Sequence, residues 1–179
     1  MYTEIEAKLK VESLEEVEAR LKELGAEFVG EQLQKDILFD DDAGTLTSHD
    51  SCIRLRKQVM HGHEKSIMTY KGAKEKSNLK KRLEIETEVS DGESTKAFLA
   101  ALGYKERLVV EKTRSFWKFH GCEVALDTLN LLGYFVEIEG PDEKTIDDVQ
   151  KSLGLENLHS ISKSYATLIA EKMQHENQQ

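Results

Sequence analysis

The tripeptide Glu-Ile-Glu occurs three times in this chain, at residues 4–6, 84–86 and 137–139, each time within a stretch that alternates charged and apolar residues. No other feature constrains the fold as strongly. A β-strand sends successive side chains to opposite faces and rises about 3.3 Å per residue. In "EIEAKLKV" (4–11), Glu4, Glu6 and Lys8 therefore line one face and Ile5, Ala7 and Leu9 the other. The same arithmetic aligns Arg54 with Arg56, Lys112 with Arg114, Glu137 with Glu139, and Arg82 with Glu84 and Glu86, while Lys71 ends its strand and Asp127 sits mid-strand. Any one of these strands reads as an ordinary solvated sheet face. Five of them carrying doubled charges of like sign is an unfavourable arrangement unless a ligand lies among them.

Helical spacing separates the strands. "SLEEVEARLKELG" places Leu14, Val17, Leu21 and Leu24 on one face, with Ser13 and Glu16 at capping-box spacing and Gly25 as the stop. "ESTKAFLAALG" predicts a second helix with Phe98, Ala101 and Leu102 facing inward, and "TIDDVQKSLG" and "SKSYATLIAEKM" predict two more, with Ser164 as a helix-start residue. Short alternating segments predict the remaining strands: "LQKDILF", "CIRLRKQV", "KSIMTYK", "LKKRLEIETEV", then "LVVEKTRSFWKF", "CEVALDTL" and "YFVEIEG". "EIEAKLKV" with its helix ending "LKELG" also matches "EIETEVSD" with its helix ending "LAALG", a weak internal repeat that points to a pseudo-symmetric domain. The expectation is an α+β chain whose eight antiparallel strands close into a barrel and so lose their edges. Flanking helices would cover Ile53, Leu55, Leu83, Ile85, Tyr134, Val136 and Ile138, leaving the charged faces inward.

Composition bounds the rest. At 179 residues with one proline, Pro141, and no Gly/Ser/Pro-rich linker, residues 1–173 read as one domain and "QHENQQ" (174–179) as a polar tail. A formal charge of −9 argues against nonspecific binding to nucleic acid or to an anionic membrane. Cys52 and Cys122 have no metal or disulfide-framework spacing. With no charged-then-apolar leader and no run approaching about 18 apolar residues, the expected location is cytoplasmic.

Clustered carboxylates suit hard divalent cations such as Mg²⁺ or Mn²⁺, and Arg and Lys suit phosphate oxygens, so together they point to a metal-bound polyphosphate. Glu4, Glu6, Glu84, Glu86, Asp127, Glu137 and Glu139 balance Lys8, Arg54, Arg56, Lys71, Arg82, Lys112 and Arg114 in charge. Two divalent cations would then offset a triphosphate of charge about −4. Asp36 and Asp40 fit a strand-end turn, His49, His61 and His63 fit surface loops, and "YKG" (70–72) lacks P-loop spacing.

The ExExK run Glu4 to Lys8, "IRLR" (53–56), "YKG", "RLEIETEV", "EKTR" (111–114), "ALDTLNLLGYFVEIEG" and "SYATLI" resemble, in order, the CYTH family of class IV adenylyl cyclases, thiamine triphosphatases and inorganic tripolyphosphatases. "VEKTRSFWKF" followed by "VALDTLNLLGYFVEIE" looks most like the class IV cyclase branch. That resemblance implies a triphosphate tunnel, a divalent-metal requirement and often a homodimer. It implies Glu4, Glu6, Asp127, Glu137 and Glu139 as metal ligands and Lys8, Arg54, Arg56, Lys71, Lys112 and Arg114 as phosphate contacts. Arg82, Glu84 and Glu86 match a more variable stretch, and Asp36 and Asp40 match acidic positions of the family that a strand-end turn explains nearly as well. Glu6, Lys8 and Glu137 are the expected catalytic core. The expected reaction is ATP to cyclic AMP and pyrophosphate, with triphosphate hydrolysis and a non-catalytic nucleotide or polyphosphate binding module as alternatives.

Overall fold

The computed structural model describes residues 2–176. Its elements in chain order are β1 (Tyr2–Val11), α1 (Glu15–Glu23), β2 (Glu27–Asp40), α2 (Thr45–Ser48), β3 (Cys52–Met60), β4 (His63–Lys71), β5 (Lys80–Val89), α3 (Gly92–Ala101), β6 (Lys105–Phe119), β7 (Cys122–Leu129), β8 (Gly133–Glu139), α4 (Glu143–Ser152) and α5 (Tyr165–Glu176). The eight strands form a closed antiparallel barrel in the order β1-β5-β4-β3-β2-β6-β7-β8. The expected fold class is therefore the observed one. α5 runs through Glu176, so residues 174–176 are helical; residues 177–179 lie outside the described residues.

The described residues group into two compact units, each assembled from separated segments. The first comprises residues 2–4, 32–76 and 81–111; the second comprises 5–31, 77–80 and 112–176. The first unit holds Glu84-Ile85-Glu86 of β5, α3 and the β2–β4 meander, and the second holds β1 from Ile5 onward, α1 and the β6–β8 meander. In the second, β1 runs antiparallel to β8, with Lys8 opposite Glu137 and Glu6 opposite Glu139. In the first, β5 pairs with β4, with Glu84 opposite Lys71 and Glu86 opposite Thr69.

The second unit has the thicker core. Val17 and Leu21 of α1, Ile146 and Val149 of α4, Leu153 just past its end, and Ala7, Leu9, Trp117, Val124, Leu126, Val136 and Ile138 of the strands are buried together. Complete burial of a side chain such as Leu21 stabilises by roughly 1.5–3 kcal/mol. Gly140 permits the approach of α4, because a Cβ there would fall 2.7 Å from Cys122 Sγ and 2.9 Å from an Ile146 carbon. The Ser13–Glu16 capping box does not form: the Glu15 amide donates to Ser13 Oγ at 3.1 Å, and the helix starts at Glu15.

In the first unit Leu99 of α3 packs on Phe39 and Leu55, with Ile37, Ile53, Met68, Val89 and Tyr104 around them. The expected inward face of α3 is wrong by one residue. Phe98 and Leu102 are 62% and 60% exposed, and Leu99 is buried in their place. Leu99 is the one buried residue of α3, which gives a narrow seam. The apolar face of β5 is likewise uncovered, with Leu83 and Ile85 exposed. In the second unit Tyr134 is exposed while Val136 and Ile138, on the same strand face, are buried.

Candidate functional site

In each unit the face opposite these cores carries buried charge. On the second unit's face, Lys8 is 1% exposed, and its ammonium lies 3.3 Å from Glu137 and 3.9 Å from Glu6. It also donates to the Lys163 carbonyl at 3.1 Å. Lys80 donates to Glu6. Arg114 Nε donates to Asp127 Oδ1 at 2.6 Å, and its Nη2 donates to both Asp127 Oδ2 and Glu137 Oε2. Lys112 reaches Asp127 Oδ2 at 3.2 Å, and the Tyr165 hydroxyl donates to the same oxygen at 2.7 Å.

These neighbours set the protonation states. Burial works against the charge on Glu137, but Arg114, Lys8 and Lys112 outweigh it and hold the carboxyl well below its ordinary value. Burial likewise opposes the Asp127 charge, and Arg114 and Lys112 prevail, lowering its pKa. Burial, then the Glu137 and Asp127 carboxylates, push the Tyr165 phenol well up, so it stays a neutral donor.

Register also sets Glu6, Glu139 and Glu123 abreast on β1, β8 and β7. Glu139 is half-buried and Glu123 is exposed. Carboxylate oxygens are the donor type a hard divalent cation requires. Among the described residues, no group of three or more His, Cys, Asp or Glu side chains converges in ion-holding geometry. The donor chemistry fits such a cation, and Glu6 and Glu137 are meanwhile engaged by Lys80, Lys8 and Arg114.

The first unit's charged face is arranged differently. Arg56 grips Asp36 with two parallel bonds, Nε to Oδ1 at 2.6 Å and Nη2 to Oδ2 at 2.8 Å. Arg54 lies 3.8 Å from Asp36 and donates to Glu86 at 3.2 Å and Thr69 at 3.1 Å. Burial opposes the Arg54 charge, but Asp36, Glu84 and Glu86 raise its pKa. Lys71 donates to Glu84 and, at 3.2 Å, to Glu4; Arg82 Nε stands 4.0 Å from Glu4. Burial opposes ionisation of Glu84 as well, while a hydrogen bond with Glu4 and the Lys71 charge lower its pKa. Arg54 Nε, Arg82 Nε and Gln34 Oε1 are buried with no hydrogen-bond partner.

The sequence-predicted residues thus fall into two sets: Glu6, Lys8, Lys112, Arg114, Asp127, Glu137 and Glu139 in the second unit, and Glu4, Arg54, Arg56, Lys71, Arg82, Glu84 and Glu86 in the first. Lys80, Asp36 and Tyr165 join them without having been predicted. Lys80 was within reach of the sequence, since extending the alternation of Arg82 and Glu84 by two residues arrives at it. Asp36 looked like a turn residue. It is buried and ion-paired, whereas Asp40 does serve the loop, accepting bonds from the Leu46 and Thr47 amides at 2.9 Å. Among the described residues no helix is long and apolar enough to cross a membrane.

A closed barrel with buried charge on its strand faces defines the class of protein. The CYTH domain family matches residues 2–166, and the chain belongs to that family. A protein named "Putative adenylate cyclase" from Methanocaldococcus jannaschii is 32% identical over 162 residues, covering 90% of this chain and 88% of its own length. The solved structure of a Pyrococcus horikoshii protein superposes with a TM-score of 0.82 at 30% identity, covering 96% of this chain and 99% of that one. A Hippeastrum protein described as a "putative adenylyl cyclase" with "a dominant triphosphatase activity" shares the fold at TM-score 0.74 and 18% identity, covering 94% and 95% of the two chains.

Proposed function

We propose that this CYTH protein is a divalent-metal-dependent enzyme acting on a nucleoside triphosphate, cyclising ATP to cyclic AMP and pyrophosphate. The observation that carries the reading is the burial, on strand faces opposite the apolar cores, of Arg and Lys side chains interleaved with carboxylates. Buried charge of this density is costly unless paired, and a bound metal–polyphosphate supplies a counterpart of matching chemistry.

Lys8, Lys80, Lys112 and Arg114 of the second unit, and Arg54, Arg56, Lys71 and Arg82 of the first, are the proposed phosphate contacts. Glu6, Glu137 and Glu139 are the second unit's carboxylates that would hold a metal and Glu4 is the first unit's candidate; when bound, a metal would polarise the α-phosphorus and acidify the ribose 3′-hydroxyl. In the reaction the 3′-oxygen to α-phosphorus bond forms, the bond from that phosphorus to the bridging oxygen breaks, and the hydroxyl proton is released. The fixed cations offset charge developing on the departing pyrophosphate, and being held by carboxylates they need no reorganisation at that moment. Residues 1–173 are proposed to act as one functional domain, without a nucleic acid or membrane partner and as a homodimer, in the cytoplasm.

A second reading has a specific support: the same fold hosts a dominant triphosphatase activity in the Hippeastrum protein. There water attacks a phosphorus of tripolyphosphate, thiamine triphosphate or a nucleotide on the same charged faces. Incubating the purified chain with ATP and with tripolyphosphate, each with Mg²⁺ or Mn²⁺, and identifying the products by mass spectrometry separates the two. Cyclic AMP is the expected product; orthophosphate without cyclic AMP selects the hydrolase, and binding without turnover selects a binding module. Glu6→Gln and Glu137→Gln are expected to weaken metal and triphosphate binding together, and unchanged binding in both would sink the metal assignment.

A further inference from the structure

Asp127 is fully buried, and its carboxylate meets four donors: Arg114 through two nitrogens, Lys112 and Tyr165. Three of these donors, from Arg114, Lys112 and Tyr165, meet Oδ2 and one, Arg114 Nε, meets Oδ1, so both oxygens of a carboxylate with no exposed surface are already held by cationic or phenolic donors. Three of the four donors belong to phosphate-binding cations. The fourth is a neutral phenol that arrives from the far end of the chain.

Tyr165 touches more than Asp127. The ammoniums of Lys8 and Lys112 lie 4.2 and 4.8 Å from its ring centroid, within cation–π range, and Phe135 packs edge-on at 5.1 Å. The segment leading to it is fastened to β1: the Ile161 amide donates to the Lys8 carbonyl at 2.7 Å, the Lys8 amide donates to Ser160 Oγ at 3.2 Å, and the Lys163 carbonyl accepts from the Lys8 ammonium. Only Tyr165 and Ile169 of α5 are buried. The helix therefore adds little core and delivers one aromatic ring to a cluster of charges.

We propose that Tyr165 is a positioning residue that fixes Lys8, Lys112 and, through Asp127, Arg114 in the geometry that receives phosphate oxygens, and that Asp127 serves these cations and is not a metal ligand. The family resemblance places Asp127 among the metal ligands; its complete burial and the Lys112 and Arg114 cations already on its oxygens argue against that. The proposal rests on the triphosphate reading above for its ligand assay alone.

Calorimetric titration of the full chain with inorganic tripolyphosphate tests it. Tyr165→Phe keeps the ring and loses one hydrogen bond, so affinity falls about three- to tenfold. Tyr165→Leu also loses both cation–π contacts and falls further, by about 30-fold or more. Ile169→Ala loosens the same helix without touching the charges and retains wild-type affinity. Mn²⁺ binding without phosphate stays unchanged in Tyr165→Phe and in Asp127→Asn. Equal losses in Ile169→Ala and Tyr165→Leu, or Mn²⁺ binding abolished in Asp127→Asn while thermal unfolding stays cooperative, would overturn the assignment.

A ligand-free readout separates this proposal from the function it builds on. In ¹³C-lysine NMR spectra, the ring shifts the terminal methylenes of Lys8 and Lys112 upfield, an effect kept in Tyr165→Phe and lost in Tyr165→Leu. Unshifted methylenes in the wild-type chain refute the positioning role, whereas shifted methylenes in a chain that binds no tripolyphosphate support it and refute the triphosphate reading.

Discussion

The two charged faces reach neutrality by different routes. In the second unit Asp127 is inaccessible and both its oxygens accept donors, with cations arriving from β6 and a phenol from α5. In the first unit Asp36 holds Arg56 in a planar fork, Glu86 is 36% exposed at its side chain, and two guanidinium nitrogens lack hydrogen-bond partners. One arrangement is closed and rigid; the other keeps donor capacity in reserve. The cores behind them differ in the same sense, since α1 and α4 cover the strands of the second unit while α3 reaches its sheet chiefly through Leu99. Fixed charges need a well-packed backing, because a carboxylate holds its geometry only as firmly as the strand that carries it.

Asp127→Ala breaks this contrast most severely. It strands Arg114 and Lys112 without their common acceptor, and loss of one partner from a buried pair costs about 3–5 kcal/mol, readable as a drop in stability by denaturant titration. Asp36→Ala removes a carboxylate with more access to water, so the same measurement gives a smaller loss, about 2 kcal/mol. If the two losses are equal, the distinction between the faces fails.

Acid titration sharpens the comparison next. Glu137 in the second unit has a folded pKa held well below 4.5. A depressed carboxylate contributes stability that is fully present above its unfolded pKa and lost as pH falls through the folded one. The wild-type chain should therefore lose stability below about pH 5, and Glu137→Gln should show a shallower acid limb while starting from lower stability at about pH 7. An unchanged limb, followed by denaturant melts across pH, would mean that Glu137 is not held ionised by Arg114 and Lys8. The smallest effects belong to the uncovered apolar positions of the first unit. Leu102→Lys and Ile85→Thr are each expected to change stability by no more than about 0.5 kcal/mol, against about 2–5 kcal/mol for Leu99→Ala.

Much of this was legible in the chain itself. Period-2 alternation located the strands and the charged faces, because the rule behind it is local geometry. Helical spacing erred on α3, where Phe98 and Leu102 have the right chemistry for a core position and the wrong angle for the seam that forms. Neither pattern found Tyr165, because a tyrosine opening an amphipathic helix gives no local sign that its hydroxyl will meet a carboxylate 38 positions earlier.

The sequence by itself determined which side chains share a face, that those faces are charged, and that eight strands and covering helices follow, since each depends on spacing along a few residues. Only the tertiary structure decided which carboxylate meets which cation. β1 lies beside β8 and β5 beside β4, so Lys8 faces Glu137 and Lys71 faces Glu84. Strand pairing is a contact between distant segments, fixed by the packing of whole faces, and no short window of sequence contains it.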